Sequence, residues 1–301
     1  MTGIARVTVL TNPTSGHGNA PHAAERAVTQ LHKRGVDVVA IAGTDAEHAR
    51  RLTEGALERG MDALVVVGGD GIISLALQVL AQTDIPLGII PAGTGNDHAR
   101  EFRIPTKDPE AAADVVVDGV IESVDLGRIV GADGTDKWFG TVMAAGFDSL
   151  VTDRTNRMTW PHGRMRYNVA MVAELSKLRL LPFRLTFDGE ELVTELTLAA
   201  FGNTRSYGGG MLICPDADPT DGQLDATMVQ SASRTKLIRL FPTVFKGTHV
   251  DLDAVRTARA RVITVDSPGI NAYADGEYVC PLPVEVSAVP AALKILQPGF
   301  R

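Results

Sequence analysis

Disulfide frameworks, membrane spans and secretion signals are all missing from this 301-residue sequence. Two cysteines, Cys214 and Cys280, are too few for a disulfide framework, and no CxxC pair indicates a metal site. We therefore expect a reducing, cytoplasmic compartment. No run reaches the ~18 apolar residues of a membrane span, and the N-terminal apolar stretch is too short for a signal peptide. Any contact with a membrane is predicted to be peripheral.

Positive charge is also scarce. The 29 Lys and Arg residues stand against 36 Asp and Glu, a formal net charge of −7. Because proteins that bind nucleic acids generally present a basic surface, this balance argues against such a partner. The 45% hydrophobic content is ordinary for a globular chain with a real core, and the length predicts two domains.

Apolar runs alternate with helical segments through the first part of the chain. Such alternation predicts a parallel sheet covered on both faces by helices, with ligands at the carboxyl ends of the strands. We therefore predict an α/β domain over residues 1–127. The runs are Arg6–Leu10, Val36–Ala42, Ala63–Val67 and Pro86–Ile90.

The second part of the chain has a different pattern. Short alternating runs separated by Asp-Gly turns predict mostly antiparallel β structure over residues 128–301. Residues 163–180 are an exception and predict a helix. Residues 154–184 carry seven basic residues and one acid, which is typical of either a membrane-surface segment or a solvated helix face.

Three glycine-rich loops each follow a predicted strand: TNPTSGHG (11–18), GGDG (68–71) and AGTGND (92–97). Glycine lets the backbone approach a phosphate, and a helix N-terminus directs free N–H groups at it. One such loop alone is usually just a tight turn, whereas three on one sheet edge favour phosphate binding. The sequence has no GxxxxGK[ST], no GxGxxG with a downstream acid and no HRD–DFG pair.

Six motifs in a fixed order resemble the bacterial soluble diacylglycerol kinases of the actinobacterial type, relatives of sphingosine and NAD kinases. The resemblance covers nearly the whole chain. It implies an ATP-binding α/β domain and a β-sandwich domain with the active site in the cleft between them, the extreme C-terminus returning to the first domain. The motifs are NPTSG (12–16), GGDG (68–71), PAGTGND (91–97), VDLG (124–127), PDADPTDGQLD (215–225) and ADGE (274–277).

The resemblance also implies an activity. The chain would use ATP and Mg²⁺ to phosphorylate the hydroxyl of diacylglycerol, giving phosphatidic acid at the inner face of the membrane. A homodimer is compatible with the family, although no local sequence feature indicates one. The alternatives left open are another acceptor, namely a sphingoid base, another glycerolipid or NAD, and a catalytically silent nucleotide or lipid sensor.

Individual roles follow from the resemblance. Asp70, Asp97 and Asp125 would organise the catalytic Mg²⁺ through waters, as suits a cation that keeps several waters. His17 and His98 lie in the same loops and are expected to pack or face solvent. The residues implied to line the nucleotide are Asn12, Pro13, Thr14, Ser15, Gly16, Thr44, Gly69, Asp70, Gly71, Thr94, Gly95 and Asn96.

Asp275 would be the general base that accepts the proton of the lipid hydroxyl. By pattern alone, Asp188 is an equal candidate, because both residues precede glycine in a hairpin-like setting. By pattern alone both would be read as plain turns, and only its position and the ADGE context favour Asp275. A second, structural metal is implied at Asp218, Asp221 and Gln223, although these residues are equally typical of an ordinary loop.

The sequence departs from the family directly after the GGDG loop. Ile72, Ser74 and Leu75 stand where the family usually carries Thr and then an Asn-Glu pair. The lost polar groups put the nucleotide contacts beyond this loop in doubt and motivate the sensor alternative.

Overall fold

The computed structural model describes residues 3–11, 20–147, 149–151, 179–230 and 241–299, together with residues 154, 158, 160, 169, 173, 233 and 235. The predicted helix over 163–180, the loop residues 12–19 and most of the basic segment 154–184 lie outside these ranges. The chain forms two compact units. Unit 1 contains Met1–Leu126, Gly208–Gly210 and Val289–Arg301, and unit 2 contains Gly127–Tyr207 and Met211–Ala288.

Unit 1 has the predicted α/β architecture. Its elements are β1 (Arg6–Thr11), α1 (Ala20–Lys33), β2 (Asp37–Ala42), α2 (Ala46–Arg59), β3 (Ala63–Gly68), α3 (Asp70–Leu80), β4 (Leu87–Pro91), α4 (Asp97–Glu101) and α5 (Pro109–Asp118). The four strands pair in parallel in the order β2-β1-β3-β4. Every residue of β3 and β4 is buried, because helices cover both faces of a parallel sheet.

Local sequence explains where these helices begin. Asp45 accepts a hydrogen bond from the backbone N–H of His48 and caps α2, while Asp108 caps α5 in the same way. By contrast, α3 begins after Gly69, which has no side chain to cap the first turn. The loops that follow β2, β3 and β4 all leave the same edge of the sheet, because the strands are parallel.

Unit 2 is antiparallel throughout its described pairings. Two strands have residues in both units: β5 begins in unit 1 and ends in unit 2, and β16 begins in unit 2 and ends in unit 1. The strands are β5 (Val120–Gly131), β6 (Asp136–Phe139), β7 (Val142–Gly146), β8 (Leu181–Phe187), β9 (Glu190–Leu196), β10 (Leu198–Gly202), β11 (Leu224–Val229), β12 (Val255–Ala260), β13 (Val262–Asp266), β14 (Asn271–Ala274), β15 (Glu277–Pro281) and β16 (Val284–Gln297).

These strands form a β-sandwich in unit 2. One layer pairs the start of β16 with β13, then β8, then β9. The other runs in the order β12-β11-β10-β7-β14-β15. Phe183 and Ile263 of the first layer share one buried core with Met143 and Phe201 of the second. Two sheets that bury the same core pack face to face.

Within the described ranges, no helix is long and apolar enough to cross a membrane.

Candidate active site

The GGDG and AGTGND loops of unit 1 close directly against each other. A Cβ added to Gly93 would lie 2.4 Å from the Cα of Gly69, so neither loop tolerates a side chain at this contact. The approach leaves the N-terminus of α3 without a capping side chain. Its first-turn N–H groups, including that of the exposed Gly71, lie at the positive end of the helix dipole.

Asn96 shapes the second loop from within. Its backbone is left-handed, with φ of 55°. Its side chain accepts a hydrogen bond from the Gly93 N–H at 3.0 Å and donates one to the Gly93 carbonyl at 3.0 Å. The Asn96 amide therefore closes the turn, while Thr94 at its tip is exposed.

Two of the predicted acids converge on Gly95. A Cβ at this position would lie 2.6 Å from Asp70 Oδ2 and 3.5 Å from Asp97 Oδ2. Only glycine lets the loop approach both carboxylates this closely. The arrangement brings Asp70, at the end of β3, next to Asp97, at the end of the loop after β4.

Asp70 is held by His98. The backbone N–H and the ring Nδ1 of His98 lie 3.3 Å and 3.1 Å from Asp70 Oδ1. Burial raises the pKa of Asp70, but the hydrogen bonds and electrostatic attraction of His98, with the Asp97 N–H, outweigh that effect. The net pKa lies below its ordinary value, so the carboxylate is ionised at neutral pH.

Asp97 binds a distant segment of the chain. Its Oδ2 and Oδ1 accept hydrogen bonds from the backbone N–H groups of Gly209 and Gly210, each at 2.7 Å. Arg100 adds an ion pair at 3.2 Å. Both glycines have positive φ, which lets consecutive N–H groups point at one carboxylate. Asp97 thus anchors Gly208–Gly210 to unit 1.

Asp125 is buried on β5 and accepts a hydrogen bond from the Ala291 N–H at 2.8 Å. Among the described residues, no group of three or more His, Cys, Asp and Glu is positioned to hold a metal directly. The predicted three-acid network around a hydrated Mg²⁺ therefore stays a prediction. Asp70 and Asp97 adjoin the same glycine, and the described contact of Asp125 is with the returning C-terminal strand.

The structure describes only some of the other residues that are predicted to line the nucleotide. Asn12, Pro13, Thr14, Ser15 and Gly16 lie outside the described ranges. Thr44 is exposed at the carboxyl end of β2, where its hydroxyl donates to Asp45 at 3.0 Å. Its role at the nucleotide stays a prediction.

The positions that depart from the family point into unit 1. Ile72 and Ser74 are buried, Leu75 is half-buried, and the Ser74 hydroxyl has no hydrogen-bond partner within the described part of the chain. A buried Ile72 adds apolar packing to α3 directly after the loop.

Asp275 lies in unit 2, in the two-residue turn between β14 and β15. Both turn residues have positive φ, 50° at Asp275 and 81° at Gly276, which defines the type I′ turn. The carboxylate is only 7% exposed. It accepts hydrogen bonds from the Gly140 N–H at 3.0 Å, the Thr141 N–H at 2.8 Å and the Thr141 hydroxyl at 2.6 Å.

Asn203, directly after β10, supports the same segment. Its side chain donates to the Gly140 carbonyl at 3.0 Å, and its N–H donates to the Thr141 carbonyl at 2.8 Å. Sequence reasoning missed Thr141 and Asn203 because neither belongs to a recognisable catalytic pattern. The only signal was the NTRSYGGG stretch (203–210), which supplies both Asn203 and the glycines that bind Asp97.

The predicted structural-metal residues are engaged with other groups. Asp218 accepts hydrogen bonds from Thr220, and Asp221 accepts one from the Gln223 N–H at 2.9 Å. Asp221 also forms an ion pair with Arg259. As the side chains stand, a metal at Asp221 would lie against a guanidinium. The arrangement does not fit a second metal.

Arg259 also pairs with Asp225, at 3.2 Å between Nε and Oδ2. Burial raises the pKa of Asp225, and the attraction of Arg259 only partly offsets that rise. The guanidinium of Arg259 therefore pairs with both Asp221 and Asp225.

Comparisons with known proteins agree with this architecture. Residues 6–129 match the diacylglycerol kinase catalytic domain, and residues 141–297 match the YegS C-terminal NAD kinase beta sandwich-like domain. These matches support a kinase that transfers phosphate to an alcohol group. The chain belongs to the diacylglycerol kinase family, as its motifs predicted.

Two relatives span almost the whole chain. A diacylglycerol kinase of Mycobacterium tuberculosis (strain ATCC 25618 / H37Rv) is 68% identical over 296 residues, which are 98% of this chain and 96% of the relative. A diacylglycerol kinase of Bacillus subtilis (strain 168) is 29% identical over 284 residues, covering 93% and 92% of the two chains.

A solved structure supports the fold. The crystal structure of a diacylglycerol kinase from Bacillus anthracis str. Sterne aligns with a TM-score of 0.73 at 19% identity, covering 99% of this chain and 98% of that one. At that identity the likeness shows the fold alone. It confirms the predicted fold class, an α/β domain with a parallel sheet plus an antiparallel β-sandwich.

Proposed function

We propose that this chain transfers the γ-phosphoryl group of ATP to the hydroxyl of diacylglycerol, in a Mg²⁺-dependent reaction that releases ADP and phosphatidic acid. The relatives described above are diacylglycerol kinases, which supports this acceptor. The observation that carries the proposal is the open N-terminus of α3 with the ionised Asp70 as its first residue.

The glycine loops are suited to bind phosphate. The N-cap residue of α3, Gly69, has no side chain to cap the N–H groups of the first turn, and a helix N-terminus carries about half a positive charge. Gly69 and Gly93 keep side chains away from this position. Asn12–Gly16, Thr44, Thr94 and Asn96 are proposed to complete the nucleotide site.

Asp70 and Asp97 are the residues that would hold Mg²⁺, through water, with Asp125 as the third acid of the set. Their chemistry fits the ion, because magnesium prefers hard carboxylate oxygens and keeps several waters. When bound, the ion supplies charge that neutralises the transferring phosphoryl group. Asp70 contributes an ionised carboxylate, and Asp97 also holds Gly209 and Gly210 in place.

Asp275 is proposed to accept the proton of the alcohol. As the alcohol oxygen forms its bond to phosphorus, the bond from phosphorus to the ADP oxygen breaks, and the alcohol proton passes to the carboxylate. Three donors from Gly140 and Thr141 fix the orientation of this carboxylate. Such preorganisation is what a general base needs.

We place the enzyme in the cytoplasm, in peripheral contact with the inner face of the membrane, because its proposed acceptor is a membrane lipid. The basic segment 154–184 is the sequence region best suited to anionic headgroups.

The test uses purified protein, Mg²⁺, labelled ATP and diacylglycerol in mixed micelles, with parallel reactions containing sphingosine, monoacylglycerol or NAD. We expect label in phosphatidic acid. Label only in another acceptor would replace the proposed substrate. ATP binding without label in any acceptor would support the silent sensor, which the buried Ile72 and Ser74 beside the loop motivate.

A further inference from the structure

His98 is a buried histidine with two polar contacts to one carboxylate oxygen. It is the second residue of α4, its side chain is buried, and the residue is 2% exposed. Its backbone N–H and its ring Nδ1 both approach one atom, Oδ1 of Asp70, at 3.3 Å and 3.1 Å. Two residues 28 positions apart are thereby joined through two contacts on a single oxygen.

The direction of the ring contact follows from charge. An ionised carboxylate can only accept hydrogen bonds, so Nδ1 of His98 carries the hydrogen that it shares with Asp70. With two donors on Oδ1, rotation of the carboxylate is restrained. The position of Oδ2 is then also fixed, beside Gly95, where a Cβ would lie only 2.6 Å away.

We propose that His98 is a positioning residue that orients the carboxylate of Asp70 for the nucleotide-bound divalent cation. This inference rests on the proposed function, because it assigns the cation to the same loops. Groups that orient metal-binding side chains act on affinity without touching the ion themselves. His98 holds Asp70 through Oδ1 and leaves the Oδ2 side of the carboxylate facing the glycine loop.

A second buried histidine provides a matched control. His249, in unit 2, is fully buried, and its Nε2 lies 3.0 Å from the carbonyl oxygen of Ile213. Its partner is a neutral backbone group with no part in the proposed chemistry. A histidine that acts only on stability should behave like His249 when it is replaced.

The experiment compares His98→Leu, His98→Asn and His249→Asn. In His98→Asn the side-chain amide nitrogen is attached to Cγ, as Nδ1 is in histidine, so the donor to Asp70 is kept. The primary measurement is the affinity for Mn²⁺ in the presence of ADP, with free Mn²⁺ quantified by electron paramagnetic resonance. Steady-state kcat and KM for ATP, and thermal unfolding, are measured on the same preparations.

We expect His98→Leu to weaken Mn²⁺ binding about 10- to 100-fold. His98→Asn should retain most of the affinity, and His249→Asn should lower thermal stability with Mn²⁺ affinity unchanged. If His98→Leu does not fold, His98→Gln replaces it, since its donor is one bond further out and should weaken binding in the same way.

A folded His98→Leu or His98→Gln protein with wild-type Mn²⁺ affinity would overturn the inference, as would equal losses in His98→Leu and His98→Asn. Failure of the proposed function can be distinguished from failure of this inference about His98. In that case the wild type phosphorylates no lipid, whereas the dependence of Mn²⁺ and ADP binding on His98 is unaffected.

Discussion

The Asp-Gly turns at Asp188 and Asp275, both in unit 2, have nearly the same backbone. Asp188-Gly189 joins β8 to β9 with φ of 49° and 93°, and Asp275-Gly276 joins β14 to β15 with φ of 50° and 81°. Each carboxylate also accepts hydrogen bonds from two consecutive backbone N–H groups of another segment. The turn chemistry of the two sites is therefore shared, and it does not distinguish a catalytic residue from a structural one.

The surroundings differ. Asp188 is exposed, and its donors are the N–H groups of Arg261 and Val262 at the start of β13. Asp275 is buried and has the Thr141 hydroxyl as a third donor. The Asp-Gly pair in the sequence does not show that Asp275 is buried or that it has a third hydrogen-bond donor. These differences support Asp275, and not Asp188, as the proposed general base.

The largest expected difference between the hairpins is in turnover. Asp275→Asn should lower kcat by about 10²- to 10⁴-fold, because the proton acceptor is lost. Asp188→Asn should leave kcat within about twofold, as expected of an exposed residue. Initial rates of lipid phosphorylation measure both, with ATP binding by calorimetry as the control for folding. Equal losses of kcat in the two variants would contradict the expected difference between the hairpins.

The next largest effect is the loss of stability when Asp275 loses its third donor, the Thr141 hydroxyl. Thr141→Val should destabilise the protein by about 2 kcal/mol, because a buried carboxylate loses a charge-assisted hydrogen bond. The control is Thr227→Val, in which a buried hydroxyl loses two neutral partners, the carbonyl of Ile213 and the thiol of Cys214. That change should cost about 1 kcal/mol. Urea unfolding at pH 7 gives both values, and a smaller loss for Thr141→Val would contradict the account.

The two turn glycines should respond alike. In each hairpin a Cβ on the glycine meets no atom within 4 Å, so only backbone strain at positive φ is added. Gly189→Ala and Gly276→Ala should each cost about 1 kcal/mol in unfolding free energy. Chemical denaturation measures the pair, and clearly unequal costs would show that the turns are not equivalent.

The smallest expected effect is a decrease in stability at high pH, which comes from a cysteine in the Asp275 hairpin. Burial raises the pKa of the Cys280 thiol in β15, and the charge of Asp133 raises it further. Because the unfolded thiol ionises first, stability should fall as the pH rises above about 8.5, the ordinary cysteine value. Cys280→Ala should flatten this decline.

The measurement is the melting temperature between pH 7.5 and 10. Part of the decline should persist in the variant, because burial raises the pKa of Cys214 to about 12. A wild-type profile that is flat over this range would refute the expected pH dependence.

Local patterns predicted the secondary structure well. Each N-terminal strand begins and ends within one residue of its apolar run, because consecutive apolar residues are typical of strands in a covered parallel sheet. The Asp-Gly turn between β14 and β15 was likewise predictable, because left-handed backbone favours those residues. Such features depend on neighbours in the chain.

The contacts that build the candidate site were not predictable in the same way. Asp97 binds Gly209 and Gly210, and Asp275 binds Thr141, across more than 100 residues in each case. Arg259 of β12 pairs with Asp221 of the loop before β11, where the family resemblance implied a metal. Partners of this kind are set by tertiary packing, so the sequence predicts the acids and leaves their donors unknown.

His98 illustrates the same limit. Its position beside Asp97 suggested only packing or solvent contact, since no histidine spacing indicated a ligand. Its proposed role depends on the approach of α4 to the start of α3, which brings Nδ1 to 3.1 Å from Oδ1 of Asp70.

The central claim is transfer of the γ-phosphate of ATP to the alcohol of a lipid, and product stoichiometry tests it most directly. Wild-type protein is incubated with Mg²⁺, ATP and diacylglycerol micelles, and ADP and phosphatidic acid are quantified together by ³¹P NMR. We predict equal amounts of the two products, with none formed when Mg²⁺ is removed by chelation. ATP consumption with release of inorganic phosphate and no phosphatidic acid would contradict the account.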